Sequence, residues 1–216
     1  MATMKTVSMA IVGAAFIALG TGRVAQAVTF NFEELPFQPV DNLSFQGVTF
    51  DFKVDGFDST DASYAASGPG ATPFVQDPSL EGDAAGILTL DFATAISTLQ
   101  FGVALNTIAS LTPGFTVELF NSASMSLGIT SVNTISLLGP FGFTDGLFTY
   151  SGTPATRAVI DFDETIADRF ALDNLIYEPA ISTPVSEPGS LTGLLALGAF
   201  GVASGLLRKQ KQKSIG

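Results

Sequence analysis

Between residues 28 and 178 the chain repeats one short device: apolar and polar residues alternate for five to eight positions, then a turn-forming pair interrupts. Val28, Phe30 and Phe32 alternate with Thr29, Asn31 and Glu33, and Val48-Thr49-Phe50-Asp51-Phe52 follows the same rule. Further runs are 87–92, 99–105, 115–120, 147–150, 158–162 and 170–177. A period of two sends successive side chains to opposite faces of a strand, one for the core and one for water. Asp55-Gly56, Pro69-Gly70, Pro113-Gly114 and Asp145-Gly146 are read as the turns between runs. No stretch sustains a capped helical period. Eight or nine short strands in about 150 residues predict an all-β domain, an antiparallel β-sandwich of jelly-roll type. No internal repeat supports a propeller or a solenoid. Residues 55–83 break the pattern. Rich in Asp, Ser, Ala, Gly and Pro, they read as a long loop, or two loops around a weak strand, and such loops on a rigid sandwich are where binding concentrates.

Side-chain inventory removes whole classes of chemistry. The 216 residues include no Cys, no His and no Trp. Without them there is no disulfide, no Ser-His-Asp or Cys-His nucleophile, and no His- or Cys-ligated metal. Aromatic surface comes from 19 Phe and 3 Tyr. From Val28 to Pro184 three basic residues, Lys53, Arg157 and Arg169, stand against 19 acidic ones, a net charge of −16. That field repels nucleic acid and anionic lipid and leaves cations, neutral glycans and basic proteins as partners. Lys53 between Asp51 and Asp55 reads as a surface ion pair. Asp161, Asp163 and Glu164 offer carboxylates, but no hydrolase or nucleotide-binding signature surrounds them. The domain is therefore read as non-enzymatic.

The two ends read as addresses. Residues 1–27 place Lys5 before an apolar run, 7–20, and end in Ala25-Gln26-Ala27, a small-x-small cleavage site; together these are a secretory signal helix. The domain spans 28–178 and a linker follows at 179–190. Residues 191–207 are 17 uncharged positions, about 25 Å as a helix, the lower limit for crossing a membrane. Residues 208–216 carry Arg208, Lys209, Lys211 and Lys213, a basic cluster that stays on the cytoplasmic side and leaves the domain outside.

The hinge Pro184-Val185-Ser186-Glu187-Pro188, the apolar helix and the basic tail resemble the PEP-CTERM sorting signal of bacteria that make exopolysaccharide. Ser186 stands where the motif has its first proline; Glu187 and Pro188 match. The resemblance implies an inner-membrane-anchored precursor, recognition by an exosortase after passage through the secretion machinery, and delivery to the cell surface or extracellular matrix. Tails of this kind are sometimes labelled as an ice-binding protein C-terminal region. The chain has no Thr-x-Thr ladder, so the label concerns the tail alone.

A second resemblance lies at the ends of the domain. Asn31-Phe32-Glu33 near its start and Phe170-Ala171-Leu172-Asp173-Asn174-Leu175 near its end resemble the first and last strands of jelly-roll carbohydrate-binding modules. In such modules these strands are neighbours and their acids hold a structural calcium. The resemblance implies a calcium shared by Glu33 and Asp173, with Asp91 or Asp161 as further ligands. Calcium takes oxygen ligands, the only kind this domain offers. Three functions are consistent with these readings: a surface or matrix protein associated with exopolysaccharide, a calcium-dependent glycan-binding module, and a hydrolase of matrix glycan.

Overall fold

The computed structural model describes residues 26–137 and 142–181. Among them twelve strands succeed one another: β1 (Val28–Phe30), β2 (Gln38–Pro39), β3 (Ser44–Phe45), β4 (Val48–Val54), β5 (Phe57–Asp58), β6 (Ser63–Ala66), β7 (Ser79–Asp83), β8 (Gly86–Leu105), β9 (Leu111–Phe120), β10 (Ser126–Ser136), β11 (Thr144–Phe162) and β12 (Arg169–Pro179). Every pairing is antiparallel. The fold is all-β, as the alternation predicts. The described residues contain no helix, and so none long and apolar enough to cross a membrane. The signal segment through Ala25, the motif Ser186-Glu187-Pro188, the 191–207 helix and the basic tail all lie outside the described residues. Ala27 is exposed, immediately before β1.

β8 and β11 organise the sheet. They pair along most of their length, with register shifts between Ser151 and Arg157. The first part of β8 pairs with β4, and the last part with β12. The continuous sheet thus folds into two facing layers. Phe52 on β4 lies 5.9 Å from Phe170 on β12 although those strands do not pair, and Phe170 stacks on Phe162 of β11 at 3.9 Å and 10°. The core between the layers is largely Phe, Leu and Val from alternate strand positions. On β4, Val48, Phe50 and Phe52 are buried and Thr49, Asp51 and Lys53 are not. Each such large side chain removed from water contributes about 1.5–3 kcal/mol.

Three expectations need correction. The runs 87–92 and 99–105 are two parts of one strand, as are 147–150 and 158–162; a bulge continues the ladder where the pattern slips phase. Pro113-Gly114 and Asp145-Gly146 lie inside β9 and β11 and are not turns. Their glycines let β10 approach: a Cβ on Gly114 would stand 2.4 Å from Thr134 Oγ1, and one on Gly146 would stand 2.6 Å from the Asn133 carbonyl. Third, the 55–83 stretch contains β5, β6 and β7. Only residues 67–78 form the long loop there. Asp55-Gly56 is the turn its sequence suggests, with both residues at positive φ.

Candidate functional site

The segment 67–78 lies against the outer side of β8, β11 and β12. Val75 packs on Ala104 and Ala171 in a small second core. Three polar side chains hold the loop backbone: Asp145 Oδ2 accepts from the Phe74 amide (3.1 Å), Asp173 Oδ2 from the Gln76 amide (2.9 Å), and Asn174 Nδ2 donates to the Phe74 carbonyl (3.1 Å). Asn174 takes φ +54° at a register shift of β12 against β8, a conformation asparagine tolerates better than most residues. The Asp173-Asn174 pair is thus first a clamp on a loop.

Asp173 has a second oxygen that the clamp does not use. The residue is 3% exposed, and its Oδ1 has no partner among the described residues. The Ser79 hydroxyl is also fully buried and unpartnered. Leu172 pairs with Leu80, so one further step along that register brings Ser79 beside Asp173. Ser79 Oγ and Asp77 Oδ1 lie 2.6 and 3.4 Å from the point where a Gly68 Cβ would stand. Burial pushes the Asp173 carboxyl above the usual Asp range; backbone amides of Asn174 and Gln76 oppose this, and the charges of Glu34 and Asp77 add to it. Leaving a buried carboxylate oxygen unpaired costs about 1–3 kcal/mol or more. A hard cation is the kind of group that would offset it, and the donors gathered here are all oxygens.

Glu33 is not among these donors. It is exposed, its amide bonds Asn31 Oδ1 at 3.3 Å, and β1 has ended at Phe30. Phe32 takes φ +57°, and Glu34 Oε1 closes the turn on the Asn31 amide at 3.2 Å. Glu34, with Oε2 accepting from Tyr64 at 2.6 Å, is the acid of this segment whose charge reaches Asp173. Asp91 and Asp161 sit elsewhere, on the outer face of β8 and β11. Another acidic group, Asp41, Asp51 and Asp58, brings its carboxylates together, but Lys53 Nζ already occupies it, 2.7 Å from Asp51 and 2.8 Å from Asp58. The ion pair expected for Lys53 is present, with Asp58 rather than Asp55 as second partner.

The buried carboxyl gives a pH dependence with a definite sign. Because the folded Asp173 holds its proton more tightly than the unfolded one, its contribution to stability is fully present below the ordinary Asp range. It is lost as pH rises through the raised folded value. The unfolding midpoint is expected to fall over that window. Denaturation at pH 4 and 7, for wild type and Asp173→Asn, checks this: the variant should lose the fall.

A different surface is formed by the outer face of β4, β8, β11 and β9. Register aligns Thr49, Asp91, Arg157 and Phe120 in one row, Asp51, Thr89, Val159 and Glu118 in the next, and Lys53, Ile87, Asp161 and Thr116 in a third. A cleft of about 170 Å³ opens at the first row, lined by Asp91, Phe120, Asn121, Ser122, Thr156 and Arg157 among others. A second, about 420 Å³, opens at the third row between Lys53, Ile87, Asp161 and Glu164. The first and third rows are four residues apart, about 13 Å along a strand. Arg157 makes a forked pair to Asp91, Nε to Oδ1 at 2.6 Å and Nη2 to Oδ2 at 3.0 Å. Asp163, which the sequence offered as a partner carboxylate for Asp161, accepts from Thr165 N and Oγ1 at 3.0 and 2.5 Å, just beyond the end of β11.

No family model and no curated protein matches the sequence. Among solved structures the chain is similar to family 29 carbohydrate-binding modules. A substituted form gives a TM-score of 0.38 at 9% identity, covering 72% of this chain and 87% of that one. The module described without a substitution gives 0.36 at 12%, covering 72% and 90%. A form complexed with mannohexaose gives 0.37 at 13%, covering 72% and 93%. Likeness at this level assigns no ligand to this chain.

Proposed function

We propose that residues 28–178 form a non-catalytic glycan-binding module, exported by the N-terminal signal and delivered to the cell surface or matrix by the PEP-CTERM-like tail. The carrying observation is the outer sheet face, where the Arg157–Asp91 fork stands beside half-exposed Phe120, Asn121 and Thr156. A pyranose presents hydroxyls that both donate and accept, and a C–H face that stacks on an aromatic ring. The fork uses two of the five guanidinium N–H donors. Its planar acid–base edge, an amide, hydroxyls and one ring meet both parts of a sugar. The spacing of the two clefts suits a chain of several sugars, and the acidic field favours a neutral glycan over an anionic one.

In this reading, calcium at the unpaired oxygen of Asp173, beside the buried Ser79 hydroxyl, holds the 67–78 loop and does not touch the sugar. Chelation is then expected to lower the unfolding midpoint while leaving glycan affinity unchanged below that midpoint. Arg157→Ala and Phe120→Ala are expected to weaken binding at least tenfold, and Arg157→Ala to cost little stability because its ion pair is exposed. Affinity electrophoresis in neutral and uronic-acid-containing polysaccharides reads this; unchanged mobility of both variants where wild type is retarded would remove the face from consideration.

A further inference from the structure

One wall of the first cleft is the turn between β9 and β10, residues 121–125. The turn closes on itself: the Asn121 amide donates to the Met125 carbonyl at 3.0 Å, and the Ser124 amide to the Asn121 carbonyl at 2.9 Å. Asn121 Oδ1 accepts from two further backbone amides, Ala123 at 2.9 Å and Met125 at 3.0 Å. Two donors on one oxygen fix which way the planar carboxamide lies. Its Nδ2 has no hydrogen-bond partner among the described residues, and it is the end of the side chain left for the cleft that Asn121 lines.

The fixed groups of this cleft are unequal in kind. Nε and one Nη2 proton of Arg157 go to Asp91. That leaves three guanidinium N–H donors, and Asn121 Nδ2 adds two. Against them stand the two or so lone-pair sites that the Asp91 carboxylate has not used. Ser122, Ser124 and Thr156 also line the cleft, but their hydroxyls rotate to donate or accept and set no preference. Fixed donors are therefore in excess. A sugar hydroxyl brings a proton with each oxygen, so hydroxyls alone leave that excess unmatched. A carboxylate would match it, but the net charge of −16 repels one. An acyl carbonyl has two lone pairs, no proton and no charge. The methyl beside it finds an apolar partner in half-exposed Phe120.

We propose that this cleft reads an acetyl group on the glycan, its carbonyl oxygen accepting from Asn121 Nδ2 and Arg157 and its methyl resting on Phe120. The assignment rests on the glycan-binding reading above and narrows it to acetylated neutral glycans. An ester on a sugar hydroxyl and an amide on an amino sugar present the same carbonyl and methyl. The full chain, immobilised, is titrated with the neutral polysaccharide of the producing cell in three forms: as isolated, after mild alkali that removes esters, and after strong alkali that also removes amides. High salt screens the amines that strong alkali exposes, and re-acetylating those amines restores the amide alone. Affinity for the isolated form should fall at least tenfold on treatment. A fall at mild alkali marks an ester; a fall only at strong alkali, reversed by re-acetylation, marks an amide. Asn121→Asp keeps the oxygen that caps the turn and removes the donor. It should weaken binding of the isolated form at least tenfold with the melting midpoint unchanged. Equal affinity for all forms, lost in Arg157→Ala, would overturn the acetyl assignment and keep the glycan-binding face; no binding of any form would remove both. An Asn121→Asp chain that binds the isolated form as wild type does would also overturn the assignment.

Discussion

Gly102→Val is expected to lower the unfolding midpoint by roughly 10 °C and to release the 67–78 loop from the sheet. A Cβ at Gly102 would stand 2.1 Å from the Phe74 carbonyl oxygen and 2.7 Å from its carbon. Those are backbone atoms, so no rotamer change relieves the clash. Gly102 lies opposite Asp173 on β12 and Leu147 on β11, under the point where three side chains hold the loop. Displacing Phe74 breaks its amide's bond to Asp145 and the bond its carbonyl accepts from Asn174, and strains the Gln76 amide's bond to Asp173. Overpacking plus newly unpaired buried groups amount to about 3–5 kcal/mol, and in a domain of this size each kcal/mol is roughly 2–4 °C. Because the same movement exposes Asp173, the proposed stabilisation by calcium should also be lost. A thermal melt with and without calcium reads both effects; a variant that melts with wild type would show that the loop does not rest on this strand.

Phe170→Ala tests the packing between the two layers. Phe170 is fully buried, stacks on Phe162, lies 5.9 Å from Phe52, and would touch a Gly82 Cβ at 2.8 Å. Four strands meet on this ring, and the small residue beside it leaves little to collapse into the hole. A loss of about 3–5 kcal/mol is expected, measured by urea denaturation. A loss under about 1 kcal/mol, far below the usual cost of removing a buried Phe, would mean that the two layers do not face one another across this ring.

How much of this is legible in the sequence depends on whether a strand has one wet face. β4 and the second half of β9 do, and their alternation declares them, whereas β12 is buried on both faces over 170–173 and alternates only beyond. β10 escapes a sequence reading because both its faces are largely exposed, so nothing fixes an apolar period: Ser126, Gly128, Thr130, Ser131 and Asn133 look like a loop. β7, Ser79–Asp83, is hidden for the opposite reason. Its Ser79 and Gly82 are buried, under a loop and against Phe170, where composition reads them as turn formers. Asp173 stands out because an acid interrupts a run of apolar residues. Glu34, Asp77 and Ser79 give no such signal, since the left-handed turn at Phe32 and the return of the 67–78 loop, which bring the charges of Glu34 and Asp77 to bear on Asp173, are announced by no local pattern. The outer face is equally hidden: Asp91 and Arg157 are 66 positions apart, and only the register of β8 against β11 joins them.

The glycan-binding claim meets its most direct test in titration of residues 28–178 with neutral polysaccharide from the producing cell, followed by calorimetry at a temperature well below unfolding, in calcium and in chelator. The expected result is saturable binding of the same affinity in both, with heat lost in Arg157→Ala and Phe120→Ala. No saturable heat in either condition, or equal binding by both variants, would contradict it.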